Sequence, residues 1–153
     1  MARATILAID PGITGAIAFY NPETPTSAEV HDLPAGAWAL HCLVRMRTTG
    51  LERAVVERVS GRPGQQGVFN FGFSTGVVHG VLGALGYSVE TYPPATWKRA
   101  MGLTSDKGAS RALATQFFPH LAKNFSRVRD DGRAEALLLA VYASAQPLQG
   151  TTK

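Results

Sequence analysis

Apolar residues run unbroken from Ile6 to Ile9, stop at Asp10, turn through Pro11 and Gly12, and resume from Ala16 to Tyr20. A short continuous apolar segment bounded by turn residues is the pattern of a strand buried on both faces. Thr5 to Tyr20 therefore predicts a hairpin with one carboxylate at its turn, where Gly12 and Gly15 permit positive φ or close approach of the backbone to a ligand. Asn21 to Thr26 is a turn-rich link, and a partly polar strand over Ala28 to Leu33 completes an antiparallel meander. Ala37 to Arg47 carries Leu40, Leu43 and Val44 at helical spacing, with Arg45 and Arg47 toward solvent and Gly50 as its end. Arg53 to Val59 reads as a strand with Ala54, Val55 and Val56 buried and Glu57 at its end. Glu57 is thus a second carboxylate at a strand terminus.

Ser60 to Gly67 is a Gly, Pro and Gln loop, followed by a helix from about Phe69 to Leu85. Gly72, Gly76, Gly80 and nearby Gly83 form a stripe without side chains along one face, although each interior glycine costs on the order of 1 kcal/mol in helix propensity. Close approach of another helix, in the core or across a dimer axis, would offset that cost. Tyr87 to Tyr92 alternates as a strand, and Pro93 to Lys98 turns into a short helix. Ser105 or Asp106 caps a helix running to Phe118, and Asp130 or Asp131 caps a last helix, Gly132 to about Ala145. The order βββ, α, β, α, β, α, α predicts an α/β layer fold with a mixed sheet. Residues 1–146 are expected to form one domain and 147–153 a flexible tail.

The chain has 153 residues with 15 Lys and Arg against 11 Asp and Glu, a formal charge of +4. This balance permits a polyanionic partner. From Lys98 onward, nine of the 15 cations face only Asp106, Asp130, Asp131 and Glu135. The single cysteine, Cys42, excludes an internal disulfide and a cysteine-based zinc site, and the four histidines have no ligand-like spacing. No apolar run approaches the roughly 18 residues of a membrane span. A soluble, cytoplasmic chain without a membrane partner is the expectation.

Asp131 and Glu135, four residues apart, lie within about 40° of each other on one helix face. Like charges at that spacing repel, and Arg133 points to the opposite side; a divalent cation would relieve them. Capping explains Asp130, but not Glu135 inside an apolar run. With Asp10 and Glu57, the four carboxylates are hard oxygen ligands, which select magnesium or manganese over zinc. Two such ions, about 3.5–4 Å apart, activate a water and stabilise the leaving oxygen in phosphodiester hydrolysis.

Ile6 to Gly12 (ILAIDPG), Val56-Glu57 and Asp131 to Ala136 (DGRAEA) together resemble the three acidic motifs of the RuvC family of Holliday junction resolvases, in the ribonuclease H-like superfamily. The last motif and Pro63 to Gly67 (PGQQG) are most similar to the bacteriophage branch. The resemblance implies a ribonuclease H-like fold, a homodimer and a magnesium-dependent endonuclease that cuts two opposed strands of a four-way junction. It implies Asp10, Glu57, Asp131 and Glu135 as ligands of two Mg2+ ions, with Mn2+ able to substitute. Lys107 resembles a basic residue placed near the scissile phosphate. Bacterial members carry two aspartates three apart on the last helix, and this chain has Gly132 in place of the first. Asp131, or second to it Asp130, must then supply the fourth ligand.

Arg62, Gln65, Gln66, Lys98, Lys107 and Arg111 are candidate DNA contacts. Of Phe69, Phe71 and Phe73, Phe69 alone is expected to be exposed, to stack on an unpaired base. Gly72, Gly76 and Gly80 are the candidate dimer face. Two other functions stay open: a junction-binding module without catalysis, and an ATP-binding lobe of the actin or sugar-kinase type, since Asp10 to Gly15 also fits its phosphate-binding hairpin. Those proteins close two lobes around the nucleotide and this length supplies one, so no nucleotide cofactor is expected.

Overall fold

The computed structural model describes residues 6–48 and 53–149, with Lys107 described by its backbone alone. Thr5, Gly50 and the last four residues of the expected tail lie outside that set. The strands are β1 (Ile6–Asp10), β2 (Ala16–Tyr20), β3 (Glu29–Asp32), β4 (Arg53–Glu57) and β5 (Val89–Tyr92). They form one sheet in the order β3-β2-β1-β4-β5. β1–β2 and β2–β3 pair antiparallel, whereas β1–β4 and β4–β5 pair parallel. This is the mixed α/β architecture that the apolar pattern predicted. β3 and β5 are shorter than their expected spans because at the sheet edges only alternate residues are buried. β4 stops at Glu57, with one further bond from Arg58 N to Tyr92 O at 2.8 Å.

Because side chains alternate across a strand, the sheet feeds two apolar layers. Leu7, Ile9, Ile17, Phe19, Ala54 and Val56 pack on α1 (Ala37–Arg47) and α2 (Val68–Ala84). Ile6, Ala8, Ala18 and Val55 face the other side, where α5 (Asp131–Ser144) crosses the sheet with α3 (Pro94–Ala100) and α4 (Lys107–Phe117) beside it. Leu137, Leu138, Leu139 and Ala140 of α5 are fully buried, so this helix is the centre of the core. Pro94 opens α3 at a position where its missing N–H costs nothing. Asp106 caps α4, its carboxylate accepting from Gly108 N at 2.9 Å. Residues 119–130 form two 3-10 segments, Pro119–Phe125 and Val128–Asp130.

At the end of the sheet away from Asp10, a buried ion pair joins three elements. The Arg53 guanidinium donates to both Glu90 oxygens, at 2.8 and 2.6 Å, and to the carbonyls of Ala143 and Gln146 that end α5. Gln149 bonds both backbone groups of Thr91 on the β5 edge. The glycine stripe of α2 is not packed against any of the described residues. A Cβ built at Gly72, Gly76, Gly80 or Gly83 meets nothing within 4 Å, so core packing does not account for it.

Candidate active site

The register of the parallel pair sets the first two carboxylates side by side. Ile9 pairs with Val56, and the next residues are Asp10 and Glu57. By alternation both side chains leave the sheet on the Ala8 and Val55 face, toward α5. Glu135 lies one turn into α5, and its field acts on both of them. The structure thus brings Asp10, Glu57 and Glu135 together from three elements. Burial chiefly, and then Glu135, push the Asp10 carboxyl up to about 6, against the Gly12 N–H, which donates to Asp10 Oδ1 at 2.9 Å, and the charge of Lys98. Burial and the Asp10 charge push Glu57 up to about 7. These are the marks of like charges gathered where water is scarce.

Cations sit among the acids. Lys98 Nζ is 2.9 Å from Glu135 Oε1, which Ser110 Oγ also approaches at 3.3 Å. Burial would depress the Lys98 ammonium, but its bond to Glu135 and the fields of Glu135, Glu57 and Asp10 hold it above its ordinary value. Arg111 Nε donates to Asp131 Oδ1 at 2.8 Å. Lys98 and Arg111, expected against DNA, are therefore in ion pairs with the last helix. Asp130 is 1% exposed and is taken by Arg127, whose backbone N and guanidinium both reach it, which holds its carboxyl below the ordinary range. Its side chain does not cap α5; it closes the 3-10 turn before it.

The absence of a side chain at 132 has a steric cause. A Cβ on Gly132 would stand 2.0 Å from Thr14 O, so the first turn of α5 rests directly on the β1–β2 turn. Gly15 is equally constrained, with a built Cβ 2.5 Å from Asp10 O. Arg133 anchors the same corner through a two-bond pair with Asp32, at 2.7 and 2.9 Å.

The donors are all carboxylate oxygens, and the raised proton affinities of Asp10 and Glu57 mark a site short of positive charge. That chemistry fits a hard divalent cation. Among the described residues no three His, Cys, Asp or Glu side chains are arranged to hold an ion as they stand. Glu135 and Asp131 are turned to Lys98, Ser110 and Arg111 instead.

Arg62, Gln65 and Gln66 lie on an exposed loop after β4, and Phe69 follows at 82% exposure. Phe73 is also exposed, at 65%, which corrects the expectation that Phe69 stands alone; one helical turn separates the two, and among the described residues nothing covers either ring. Phe71 turns inward against Gly12. Two residues escaped the sequence reading. Ser110 carried no signal, and Trp97, whose Nε1 donates to Glu57 Oε2 at 2.9 Å, was legible only as part of a short helix.

No family model matches the chain. A stretch of 73 residues, 46% of the chain, is 40% identical to the Holliday junction resolvase MOC1, chloroplastic, of Chlamydomonas reinhardtii, and spans 8% of that protein's length. The fold is that of RuvC. T. thermophilus RuvC in complex with Holliday junction substrate matches with a TM-score of 0.59 at 20% identity, over 91% of this chain and 92% of that one. A second Thermus thermophilus RuvC structure gives 0.58 at 23% identity, over 91% and 95%. No helix among the described residues is long and apolar enough to cross a membrane.

Proposed function

We propose that the chain is a divalent-metal-dependent endonuclease of the RuvC family that resolves four-way or other branched DNA junctions. The observation that carries this reading is the convergence of Asp10, Glu57 and Glu135 at one end of a RuvC-type sheet, with Asp131 one turn before Glu135. In this reading these four residues hold two Mg2+ ions, for which Mn2+ substitutes. The ions, when bound, supply an activated water and neutralise charge at the leaving oxygen.

The chain's own residues do the rest. Asp10 and Glu57 sit on strand ends and hold fixed positions, while Glu135 and Asp131 would have to give up Lys98 and Arg111 to hold cations. The freed Lys98 and Arg111, with Lys107 at the start of α4, are then available to phosphate oxygens. Arg62, Gln65 and Gln66 contact the backbone or base edges, and Phe69 stacks on a base at the crossover. The bare glycine face of α2 supports a homodimer. It adjoins an apolar groove of about 510 Å³ lined by Trp38, His41, Val77 and Val81, which a second copy would fill, presenting two sites to two opposed strands.

The test is a synthetic four-way junction incubated with the protein, with and without magnesium, beside Asp10→Asn and Glu135→Gln. Magnesium-dependent cutting by the wild type, lost in both variants with junction binding retained, is the expected result. Equal cutting by either variant overturns the site.

A further inference from the structure

Trp97 is the one buried residue of α3, fully enclosed at 0% exposure. Its indole N–H is a donor with no acceptor capacity of its own, so burying it requires a partner. That partner is Glu57 Oε2, at 2.9 Å. Glu57 is itself only 8% exposed and is the last residue of β4, beside Asp10. An indole bond to one oxygen holds that oxygen in place and leaves the other, Oε1, for a different partner. The next residue, Lys98, stands 5.4 Å from the Trp97 ring centre and bonds Glu135. Consecutive residues of one short helix thus hold two of the acids, one by a neutral donor and one by a charge.

We propose that Trp97 is a positioning residue that locks the Glu57 side chain so that Oε1 is presented to a divalent cation. The proposal rests on the reading of the acidic cluster as a cation site. A neutral donor suits this task. It orients the carboxylate without cancelling the charge the cation needs, whereas a cation at the same place would compete with the metal, as Lys98 does at Glu135. The ring packs in the core, so the orientation is held by the whole α3 layer rather than by a mobile side chain. Groups that orient a ligand in this way change metal affinity or activity by about 10- to 100-fold when lost.

The experiment compares wild-type protein, Trp97→Phe and Glu57→Gln, with magnesium alone as the probe. Phe keeps an aromatic ring in the core and removes the N–H. The two tryptophans, Trp38 and Trp97, give separate indole signals in a nitrogen-labelled spectrum. Added magnesium is expected to move the Trp97 signal and leave that of Trp38, which is 78% exposed, in place. Trp97→Phe is expected to need about tenfold more magnesium for half-maximal stabilisation and for half-maximal junction cleavage, with the KM for the junction unchanged. An unchanged magnesium requirement in Trp97→Phe overturns the proposal. So does an immobile Trp97 signal in a wild type whose melting temperature magnesium raises. Should Trp97→Phe fail to fold, the wild-type spectrum decides alone. Magnesium that stabilises wild type and Glu57→Gln equally removes the cation site itself, a result distinct from an intact site indifferent to Trp97.

Discussion

Asp10→Asn is expected to make the cation-free protein more stable at pH 8 while abolishing cleavage. In the fold, the Asp10 carboxyl is pushed from 3.8 to about 6, by burial first and by Glu135 next. At about 1.36 kcal/mol for each tenfold change in proton affinity, the ionised side chain opposes folding by about 3 kcal/mol. Folded Asp10 holds its proton more tightly than the unfolded chain does. Its contribution is therefore fully present below pH 3.8 and is lost as the pH rises through about 6. Asparagine has the same shape and keeps an oxygen for the Gly12 N–H, but carries no charge. The variant should melt about 6–12 °C above wild type at pH 8, at 2–4 °C per kcal/mol for a chain of this size. The gap should close near pH 4. Calorimetric melts in a chelator from pH 4 to pH 8 measure this, and a second series in magnesium should invert the order, since cation binding stabilises only the protein that retains the ligand. Wild-type and variant melting temperatures that run parallel across the pH range would refute the reasoning.

Gly132→Ala places a methyl group 2.0 Å from Thr14 O; urea unfolding should show a loss of about 1–3 kcal/mol or more, with a raised magnesium requirement because α5 carries Asp131 and Glu135. Glu90→Gln leaves the buried Arg53 guanidinium without its counter-ion, and chemical denaturation should report a loss of about 3–5 kcal/mol while magnesium dependence at low temperature is unchanged, since this pair lies at the far end of the sheet. Phe69→Ala and Phe73→Ala remove side chains that are 82% and 65% exposed. Neither should shift the melting temperature, and gel-shift titration should show Phe69→Ala weakening junction binding by about 1–3 kcal/mol if the ring stacks on a base.

The central strands were legible because burial on both faces leaves a local record. Ile6 to Ile9 and Ala54 to Val56 are runs of apolar residues whose ends are marked by an acid. The edges were less so, since β3 and β5 are buried at alternate positions and their ends depend on pairing, not on composition. The segment 119–130 gave no periodic signal, and its second 3-10 turn, Val128–Asp130, is held by the Arg127–Asp130 contact, which is local in sequence but has no apolar pattern. The glycine stripe of α2 was visible in the chain, yet what it faces was not; it lies open in the single copy.

The acids of the candidate site were legible as residues, and the partners of Glu57, Glu135 and Asp131 were not, because each of those comes from a distant segment. Trp97 and Glu57 are 40 residues apart, Lys98 and Glu135 are 37 apart, and Arg111 and Asp131 are 20 apart. Those partners divide the carboxylates into two kinds. Asp10 and Glu57, fixed on strand ends, receive neutral donors, Gly12 N and Trp97 Nε1, and answer the crowding of charge by holding protons more tightly. Glu135 and Asp131, on the helix, answer it with the flexible cations Lys98 and Arg111. Under the proposed function, protons and cationic side chains together stand in for the charge of the metal, and both leave when it binds. Lowering the pH and adding magnesium then compete for the same carboxylates, since each supplies the positive charge that the other would bring. Magnesium affinity should fall as the pH drops through the 6 to 7 range in which Asp10 and Glu57 take up protons, and a magnesium titration followed by calorimetry at pH 5.5 and pH 8 measures that competition directly. Equal affinities at the two pH values would separate the strand carboxylates from the cation.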